Sequence, residues 1–229
     1  MIRLGIVTGM RSEADCLAAH PFPSLLHCAG ANAARAHQGA LLLARQGATH
    51  LVSFGIAGGL DPTLRPGDLV LPDAVISGDG RALTANPALR DALAAAIGAT
   101  DTVTTGSLYG SPAVVAGYAE KTDLHRRLGC VAVDMESHAV AEAATAVGLP
   151  FIVVRVVADH AARPFPRAIQ GSLTDDGQQR GGLVAARLLR RPWEIPAVIG
   201  LGRDYRAAMR VLRGVAAPAL LGLGRGVDL

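Results

Sequence analysis

The sequence predicts an α/β fold, because runs of β-branched residues alternate with helical patterns along the chain. The run at 150–157 is continuously apolar, which indicates a central strand covered on both faces. Half of the 229 residues are hydrophobic and only 3% are aromatic, so small aliphatic side chains must build the core. The length suits one domain, and we predict a single domain over residues 1–229.

The first half of the chain predicts four strands and two helices. Apolar β-branched runs place the strands at 2–7, 25–28, 50–54 and 69–76. Apolar residues spaced three and four apart place helices at 12–19 and 33–45. Gly47 lies where the second helix should end, and a Pro-Gly turn at 65–68 leads into the fourth strand.

The second half continues the alternation and then becomes Arg-rich. Strands are predicted at 102–108, 130–133 and 150–157, and helices at 87–97, 112–128, 135–147, 183–189 and 197–213. Pro112 suits the first turn of its helix and Gly129 suits the end. Residues 159–182 lack periodicity, which is typical of a loop that covers a site. The segment of about 183–214 is the Arg-rich helical part.

Several classes of protein are excluded by composition and motifs. No apolar run reaches the roughly 18 residues of a membrane span, and the first residues lack a secretory signal, so we expect a cytoplasmic protein. Cys16, Cys28 and Cys130 fit neither a disulfide framework nor a zinc site, and we expect no metal. The Gly-rich segment 55–59 is neither a dinucleotide fingerprint nor a P-loop, and its alternative interpretation is a tight strand exit.

The positive charge is concentrated at the end of the chain. Residues 180–229 hold nine Arg against three acidic residues, which leaves the first 179 residues with a net negative charge. Few aromatic side chains accompany the Arg residues, so we expect no nucleic-acid partner. Two interpretations stay open: a solvated helix face, or a surface that rests peripherally on the inner face of a membrane.

Three acidic residues follow predicted strands directly. They are Glu13, Glu136 and Asp159. Open α/β sheets bind ligands at the carboxyl ends of their strands, so we treat these residues as candidate site residues. Each has a structural alternative, since Glu13 and Glu136 also suit the first turn of a helix and Asp159 suits a loop cap.

Five short motifs occur in the order found in one enzyme superfamily. They are a Gly-Met-x-x-Glu turn at 9–13, Gly-x-Ala-Gly-Gly at 55–59, Gly-Asp-Leu at 67–69, Val-x-Met-Glu at 133–136, and a Val-Val-Arg run ending in Asp at 153–159. With them the chain resembles the nucleoside phosphorylase and nucleosidase superfamily. The resemblance implies a three-layer α/β/α fold around a central mixed, partly barrel-like sheet, and a homodimer or larger homo-oligomer.

The resemblance also implies roles for named residues. Asp159 is the general acid that protonates the purine at N7, and Glu13 orients the attacking water. Glu136 binds the ribose hydroxyls, and Met135 packs below the sugar. Backbone groups near Val114 read the adenine edge.

Two further residues, Gly58 and Phe165, complete the predicted substrate-binding set. The nucleophile is water or phosphate. If it is phosphate, then phosphate is a co-substrate, and Arg11 is the candidate phosphate ligand because it lies in the turn where phosphorylases place an Arg. No other cofactor is expected.

The sequence departs from the nucleosidases of this superfamily in three places. Ile56 stands in place of a Ser, Ala158 precedes the catalytic Asp in place of another Ser, and residues 111–114 contain no Phe to stack on the purine. The length, the Asp-Met-Glu-Ser run and the Arg-rich tail most resemble the hopanoid-associated phosphorylases. Those enzymes release adenine from adenosylhopane during hopanoid side-chain biosynthesis.

Three functional hypotheses stay open at this point. The first is cleavage of an adenine nucleoside with a bulky apolar 5′ substituent. The second is hydrolysis of methylthioadenosine or S-adenosylhomocysteine, and the third is a non-catalytic nucleoside- or lipid-binding module. The presence of Glu13, Glu136 and Asp159 together argues against the third hypothesis, because binding alone does not require a positioned acid.

Overall fold

The structure is a computed structural model that describes residues 2–18, 25–98, 103–172, 174 and 177–224, with side chains described as far as residue 217. Its strands are β1 Leu4–Thr8, β2 Leu25–Cys28, β3 His50–Gly59, β4 Leu69–Val70, β5 Ala74–Ile76, β6 Ala82–Thr84, β7 Val103–Thr104, β8 Ser107–Gly110, β9 Ala132–Asp134 and β10 Phe151–Asp159. Its α-helices are α1 Arg11–Ala18, α2 Ala33–Arg45, α3 Pro87–Ile97, α4 Tyr118–Leu128, α5 Ser137–Val147, α6 Gly181–Arg190 and α7 Ile195–Gly224. A short 3₁₀ turn, Pro192–Glu194, joins α6 to α7.

The described strands form one mixed sheet with β3 at its centre. The path through the sheet is β6-β5-β8-β9-β3-β10-β4-β7, and β1 pairs with both β2 and β3. β1 and β10 run parallel to β3. β9 runs antiparallel and pairs with Gly58 and Gly59, the last two residues of β3. Because β3 pairs with β1 along its first half and with β9 at its end, the sheet divides around the carboxyl end of β3.

Helices cover both faces of this sheet. Side chains from α1, α3 and α7 pack into one apolar cluster with β3 and β10, and side chains from α2 and α5 pack into a second cluster on the opposite face. All nine residues of β10 are buried, which agrees with the prediction of a central strand. The predicted α/β class and three-layer arrangement are therefore confirmed.

Helix ends follow local side-chain chemistry. The side chains of Asn32 and Asn86 accept hydrogen bonds from backbone N–H groups in the first turns of α2 and α3, at 3.0 Å in both cases. Gly129 ends α4 with φ 65°, a left-handed conformation that glycine adopts without steric cost.

Several predicted boundaries are wrong. The predicted strand 102–108 divides into β7 and β8, and the last helix continues to Gly224 and does not end at residue 213. Four further boundaries are also wrong. The segment 55–59 is not a strand exit, because β3 continues through Gly59 in register with β10. The predicted strand 69–76 divides into β4 and β5 around Pro72, which lacks the N–H that a ladder needs. The predicted helix at 112 begins at Tyr118 instead, because the Ser111 hydroxyl bonds both backbone groups of Ala113 and holds a local turn.

The fourth of these further boundaries is the start of α5, which begins at Ser137 rather than at residue 135. The carboxylate of Asp134 accepts a hydrogen bond from Ser137 N at 3.1 Å and so precedes the helix as a cap. Two predicted ends, Ala19 of the first helix and Thr102 of a strand, lie outside the described residues.

Candidate active site

The three predicted carboxylates lie close together at the carboxyl ends of the central strands. Gly58 of β3 pairs with Val133 of β9 on one side and with Asp159 of β10 on the other. Glu136 follows β9 directly, and Glu13 lies in α1 just after β1. The exposed fractions of Glu13, Glu136 and Asp159 are 3%, 6% and 7%, so all three are buried.

Three backbone N–H groups hold the carboxylate of Glu13, two from the turn after β1 and one from within β3. Gly9 N and Met10 N each donate to its Oε2 at 2.8 Å, and Ile56 N donates to its Oε1 at 2.9 Å. A Cβ atom on Gly55 would lie 2.5 Å from Oε1, so glycine is required there for the close approach. Burial raises the pKa of Glu13, while Arg155 and the backbone donors act in the opposite direction.

Glu136 approaches the same turn from the other side. A Cβ atom on Gly9 would lie 2.8 Å from Glu136 Oε1, so Gly9 separates the two glutamates. Burial raises the pKa of Glu136 to about 8, and the neighbouring charge of Asp134 adds to the effect. Arg155 acts against this shift from 3.7 Å.

A buried ion pair between Arg155 and Asp134 lies next to Glu136. The sequence analysis did not identify this pair as functional. The guanidinium of Arg155, in the middle of β10, donates to the carboxylate of Asp134 through both Nε and Nη2. Ser53 and Ser137 bind the same guanidinium through their hydroxyls, at 2.7 and 3.1 Å. The signal in the sequence is a charged residue inside an otherwise apolar strand, because such a residue needs a buried partner.

Asp159 is paired with a lysine from α4. Lys121 Nζ donates to Asp159 Oδ2, and the Lys121 side chain is 1% exposed. Burial raises the pKa of Asp159, whereas the charge of Lys121 lowers it. The enclosure of Asp159 expected from the sequence is therefore present, together with an ammonium group that the sequence analysis did not place there.

The loop after Asp159 closes against the segment between β8 and α4. Phe165 N donates to Ala116 O at 2.9 Å, and Gln170 Nε2 donates to Phe165 O at 3.1 Å. Phe165 is half-buried, whereas Val114 keeps 45% of its surface exposed. The two predicted substrate-binding residues therefore lie on two segments that meet.

Arg11 and Met135 take less enclosed positions. The Arg11 side chain is exposed and pairs with Asp15 at 3.5 Å across one turn of α1. Its backbone N–H donates to Gly177 O at 3.2 Å, which brings the long loop onto the turn before α1. Met135 is half-buried between Asp134 and Glu136.

The chemistry of the site comes from its carboxyl groups. Within the described ranges, no three His, Cys, Asp or Glu side chains come together in a way that could hold a metal ion. Glu136 and Asp159 have pKa values raised by burial, which suits a carboxyl group that holds a transferable proton or binds hydroxyl groups. The site can therefore donate a proton at one end and bind a polyhydroxyl group at the other.

The chain is similar to known proteins in both sequence and structure. The family model described as the phosphorylase superfamily matches residues 16–191. A 5′-methylthioadenosine/S-adenosylhomocysteine nucleosidase from Marinomonas sp. (strain MWYL1) is 29% identical over 149 residues, which cover 57% of this chain. The matched region spans 64% of that relative's length, less than two thirds.

Solved structures show the same fold. The nucleosidase of that name from Neisseria meningitidis, in complex with methylthio-immucillin-A, has a TM-score of 0.74 at 15% identity, over 97% of this chain and 99% of that one. The corresponding nucleosidase from Colwellia psychrerythraea 34H, in complex with adenine, has a TM-score of 0.72 at 17% identity, over 97% and 96% of the two chains.

Proposed function

Because the chain belongs to the phosphorylase superfamily, and so to enzymes of the nucleoside phosphorylase and nucleosidase type, we propose that it cleaves the N-glycosidic bond of an adenine nucleoside with a bulky apolar 5′ substituent. The proposed substrate is adenosylhopane, cleaved during hopanoid side-chain biosynthesis. The observation that carries the reaction is the burial of Glu13, Glu136 and Asp159 around the carboxyl end of β3.

In the proposed reaction the bond between C1′ and the purine breaks, and its electron pair passes to the base. Asp159 gives a proton to N7, so the base leaves as neutral adenine. Glu136 binds the ribose hydroxyls, and Met135 packs below the sugar. Gly58, Val114 and Phe165 border the base and the 5′ side, and Glu13 orients the nucleophile that adds to C1′.

An exposed apolar surface beside the site supports the bulky 5′ substituent. Four large side chains around the junction of α6 and α7 are exposed, from 42% to 85%: Leu189, Trp193, Ile195 and Ile199. The loop after Asp159 is tied to this surface, since Ala168 N donates to Glu194 Oε2 at 2.8 Å and Arg187 Nη1 donates to Gln170 O at 2.5 Å. The surface proposed to meet a substrate embedded in a membrane is therefore joined to the loop that follows Asp159.

We further propose that this surface, which we name the α6–α7 patch (residues 189–199), makes peripheral contact with the inner face of a membrane. None of the helices in the described ranges is long and apolar enough to cross a bilayer. Arg190 and Arg191 lie within the patch and suit anionic headgroups, each contributing about 1 kcal/mol at low salt. The Arg residues of α7 itself are exposed to solvent. Leu201, Met209 and Leu212 of the same helix are buried in the core.

Liposome flotation tests the contact. We expect binding to anionic vesicles at low salt, less binding at high salt, and loss of binding in Trp193→Ala. Leu42→Ala, an exposed apolar change on α2, is the matched control and should bind like the wild type. Equal, negligible binding of the wild type to anionic and neutral vesicles would contradict the contact and leave the reaction untouched.

A second candidate function is hydrolysis of methylthioadenosine or S-adenosylhomocysteine, which is favoured by the similarity to nucleosidases that act on these two compounds. Release of the purine base should be measured: adenine from adenosylhopane and methylthioadenosine, and hypoxanthine from inosine. We expect the highest kcat/KM for adenosylhopane. A higher kcat/KM for methylthioadenosine would establish the second candidate, and no release from any nucleoside would contradict both.

The choice of nucleophile is tested in the same assay with and without phosphate. If phosphate attacks, the product is a ribose 1-phosphate derivative and the rate saturates with phosphate. In that case Arg11→Ala should raise the apparent KM for phosphate, provided Arg11 exchanges its exposed partner Asp15 for the anion. A free ribosyl product formed at the same rate without phosphate would identify water.

We also propose a homodimer or larger homo-oligomer. Val147 of α5 is 42% exposed, and together with Leu41 of α2 it lines a cavity of about 300 Å³. Light scattering at micromolar concentration should give a mass of two chains or more. A monomer would contradict the proposal.

A further inference from the structure

The ammonium group beside Asp159 belongs to Lys121, which is the one lysine of the chain beside 21 arginines. It lies in the first turn of α4, 38 positions before its partner, and its side chain is 1% exposed. Lys121 Nζ donates to Asp159 Oδ2. The other oxygen, Oδ1, lies beside Gly58, a predicted substrate-binding residue, since a Cβ atom on Gly58 would lie 3.2 Å from it.

A buried lysine is a costly way to stabilise a fold. Removal of an ammonium group from water costs several kcal/mol, and an ion pair in the interior often gains no stability over apolar side chains of similar size. The apolar residues around α4, Leu60, Val115, Leu124 and Val133, would accommodate such a side chain. The charge at this position therefore indicates a role in the chemistry of its partner.

Other charged groups around Asp159 leave Lys121 as its main cation. Asp204 of α7 and Arg163 of the long loop also act on the Asp159 carboxyl group. These two residues pair with each other through Arg163 Nη1 and Asp204 Oδ2, so their opposite charges largely offset one another. Lys121 is the cation that bonds directly to Asp159 in the described part of the chain.

We propose that Lys121 is a positioning residue for the general acid: it holds Oδ2 of Asp159, directs Oδ1 toward the purine, and stabilises the carboxylate that remains after proton transfer. The proposal rests on the proposed function. In the step itself the Oδ1–H bond breaks, the proton passes to N7, and the electron pair of the glycosidic bond passes to the purine. Lys121 stays an ammonium ion throughout and transfers no proton.

The role has a consequence for pH dependence. Activity requires protonated Asp159, so kcat/KM falls as the pH rises through the pKa of Asp159. Burial raises this pKa and Lys121 lowers it, so removal of the lysine charge should raise it further. The fall in activity should then occur at a higher pH, while the plateau kcat decreases because the acid is weaker and less well oriented.

The experiment compares Lys121→Met, Lys121→Gln and Lys121→Arg with the wild type, using adenine release from whichever of adenosylhopane and methylthioadenosine the wild type cleaves faster. Met and Gln remove the charge, and Gln keeps a hydrogen-bond donor. Both should lower the plateau kcat by about tenfold or more and move the alkaline fall upward by about one pH unit. Lys121→Arg keeps the charge and should restore the alkaline fall to within about half a unit of the wild type.

A double-mutant cycle separates positioning from a merely structural role. Lys121→Met should cause no further loss of kcat in an Asp159→Asn background, because the lysine acts through Asp159. Independent, multiplying losses would overturn the proposal, as would an unshifted alkaline fall in both uncharged variants that fold. If Lys121→Met fails to fold, the pH profile of Lys121→Gln decides alone. A wild type that cleaves no nucleoside overturns the proposed function instead, and with it this role.

Discussion

At the scale of single residues, the proposed reaction depends most on Asp159, the proposed general acid. Asp159→Asn keeps the shape of the side chain but removes the transferable proton. We expect kcat for adenine release to fall by about 10²-fold or more, with KM nearly unchanged, because the proton is needed in the transition state. Steady-state kinetics checks this, and full activity in the variant would exclude Asp159 as the acid.

Glu136 links the site to stability through its raised pKa. An unfolded Glu titrates near 4.5, whereas burial raises the pKa of Glu136 to about 8 in the folded protein. Between these values the folded state holds a proton that the unfolded state has lost, so the free energy of unfolding falls as the pH rises from about 4.5 to 8. The site carboxylate thus destabilises the fold at neutral and alkaline pH.

Glu136→Gln should remove this pH dependence, since an amide does not ionise. Urea unfolding at pH 5 and pH 8 should show the variant more stable than the wild type at pH 8, by about 1 kcal/mol or more. The same variant should lose ribose binding and rate, because Glu136 binds the sugar in the proposed reaction. Glu142→Gln, which alters an exposed ion pair with Arg81, is the control. If the free energy of unfolding changes equally with pH in the wild type and in Glu136→Gln, the raised pKa does not belong to Glu136.

The sequence predicts these residues unevenly, for a physical reason. Glu13, Glu136 and Asp159 follow strands, so local pattern places them at the sheet edge, and the structure brings them together there. Lys121 lies in a polar helix with no local sign of burial, and its partner is 38 positions away. Contacts of this kind depend on how distant elements pack, which a local pattern does not contain.

At the scale of elements, the glycines of β3 make room for the carboxylates. The sequence pattern predicts this strand only as far as residue 54, because Gly and Ala have a low preference for strands. In the structure, pairing with β10 extends β3 to Gly59. The absence of side chains is what allows Glu13 and Asp159 to approach the strand. The motif was therefore identified correctly and its conformation was not.

Gly55→Ala should damage this element specifically. Its Cβ would lie 2.5 Å from Glu13 Oε1, so the carboxylate must move away from the donors Gly9, Met10 and Ile56. We expect a loss of about 1–3 kcal/mol in the free energy of unfolding and at least tenfold in kcat/KM, measured by denaturant unfolding and adenine release. Gly78→Ala, which meets no atom within 4 Å, should change neither. Equal behaviour of the two variants would show that Glu13 tolerates displacement.

At the scale of the whole molecule, α7 completes the fold beyond the region that the family model matches. That match ends at residue 191, whereas α7 starts at Ile195 and packs against α1, α3 and β10. Its apolar side chains belong to the main core cluster, and its Arg residues face solvent. Both interpretations of the Arg-rich segment expect these Arg side chains to be exposed, and the membrane proposal made above concerns the α6–α7 patch.

Leu212→Ala tests how much α7 contributes to the whole. Leu212 is fully buried in the cluster with β10, so we expect a loss of about 2–5 kcal/mol in the free energy of unfolding. Arg210→Ala, on the exposed side of the same helix, should change it by less than about 0.5 kcal/mol. Similar small effects in both would mean that α7 is not part of the cooperative core.

The fold class, the superfamily and the position of the three carboxylates at one edge of the sheet could be predicted, because they depend on hydrophobic alternation and on motifs that are short and local. The match to the phosphorylase superfamily confirms that prediction. The division of the predicted strand into β4 and β5 could not, because β4 pairs with β10 and β5 pairs with β8, strands that lie far along the chain. The delayed start of α4 could not either, because it depends on the hydrogen bonds of the Ser111 hydroxyl, which a hydrophobic pattern does not contain.

Because Lys121 is the one lysine of the chain, chemical modification of lysine can measure how the structure opens around it. An acylating reagent that attacks primary amines finds no side-chain target on the surface of the described protein, since Lys121 is 1% exposed. Acylation of that side chain can proceed only when α4 separates from β10, so its rate with a weakly reactive reagent measures the fraction of time for which the two elements are separated. A bound nucleoside that holds Asp159 in place should slow the acylation of Lys121. Mass spectrometry of the peptide that contains Lys121 would measure this rate without any spectroscopic label.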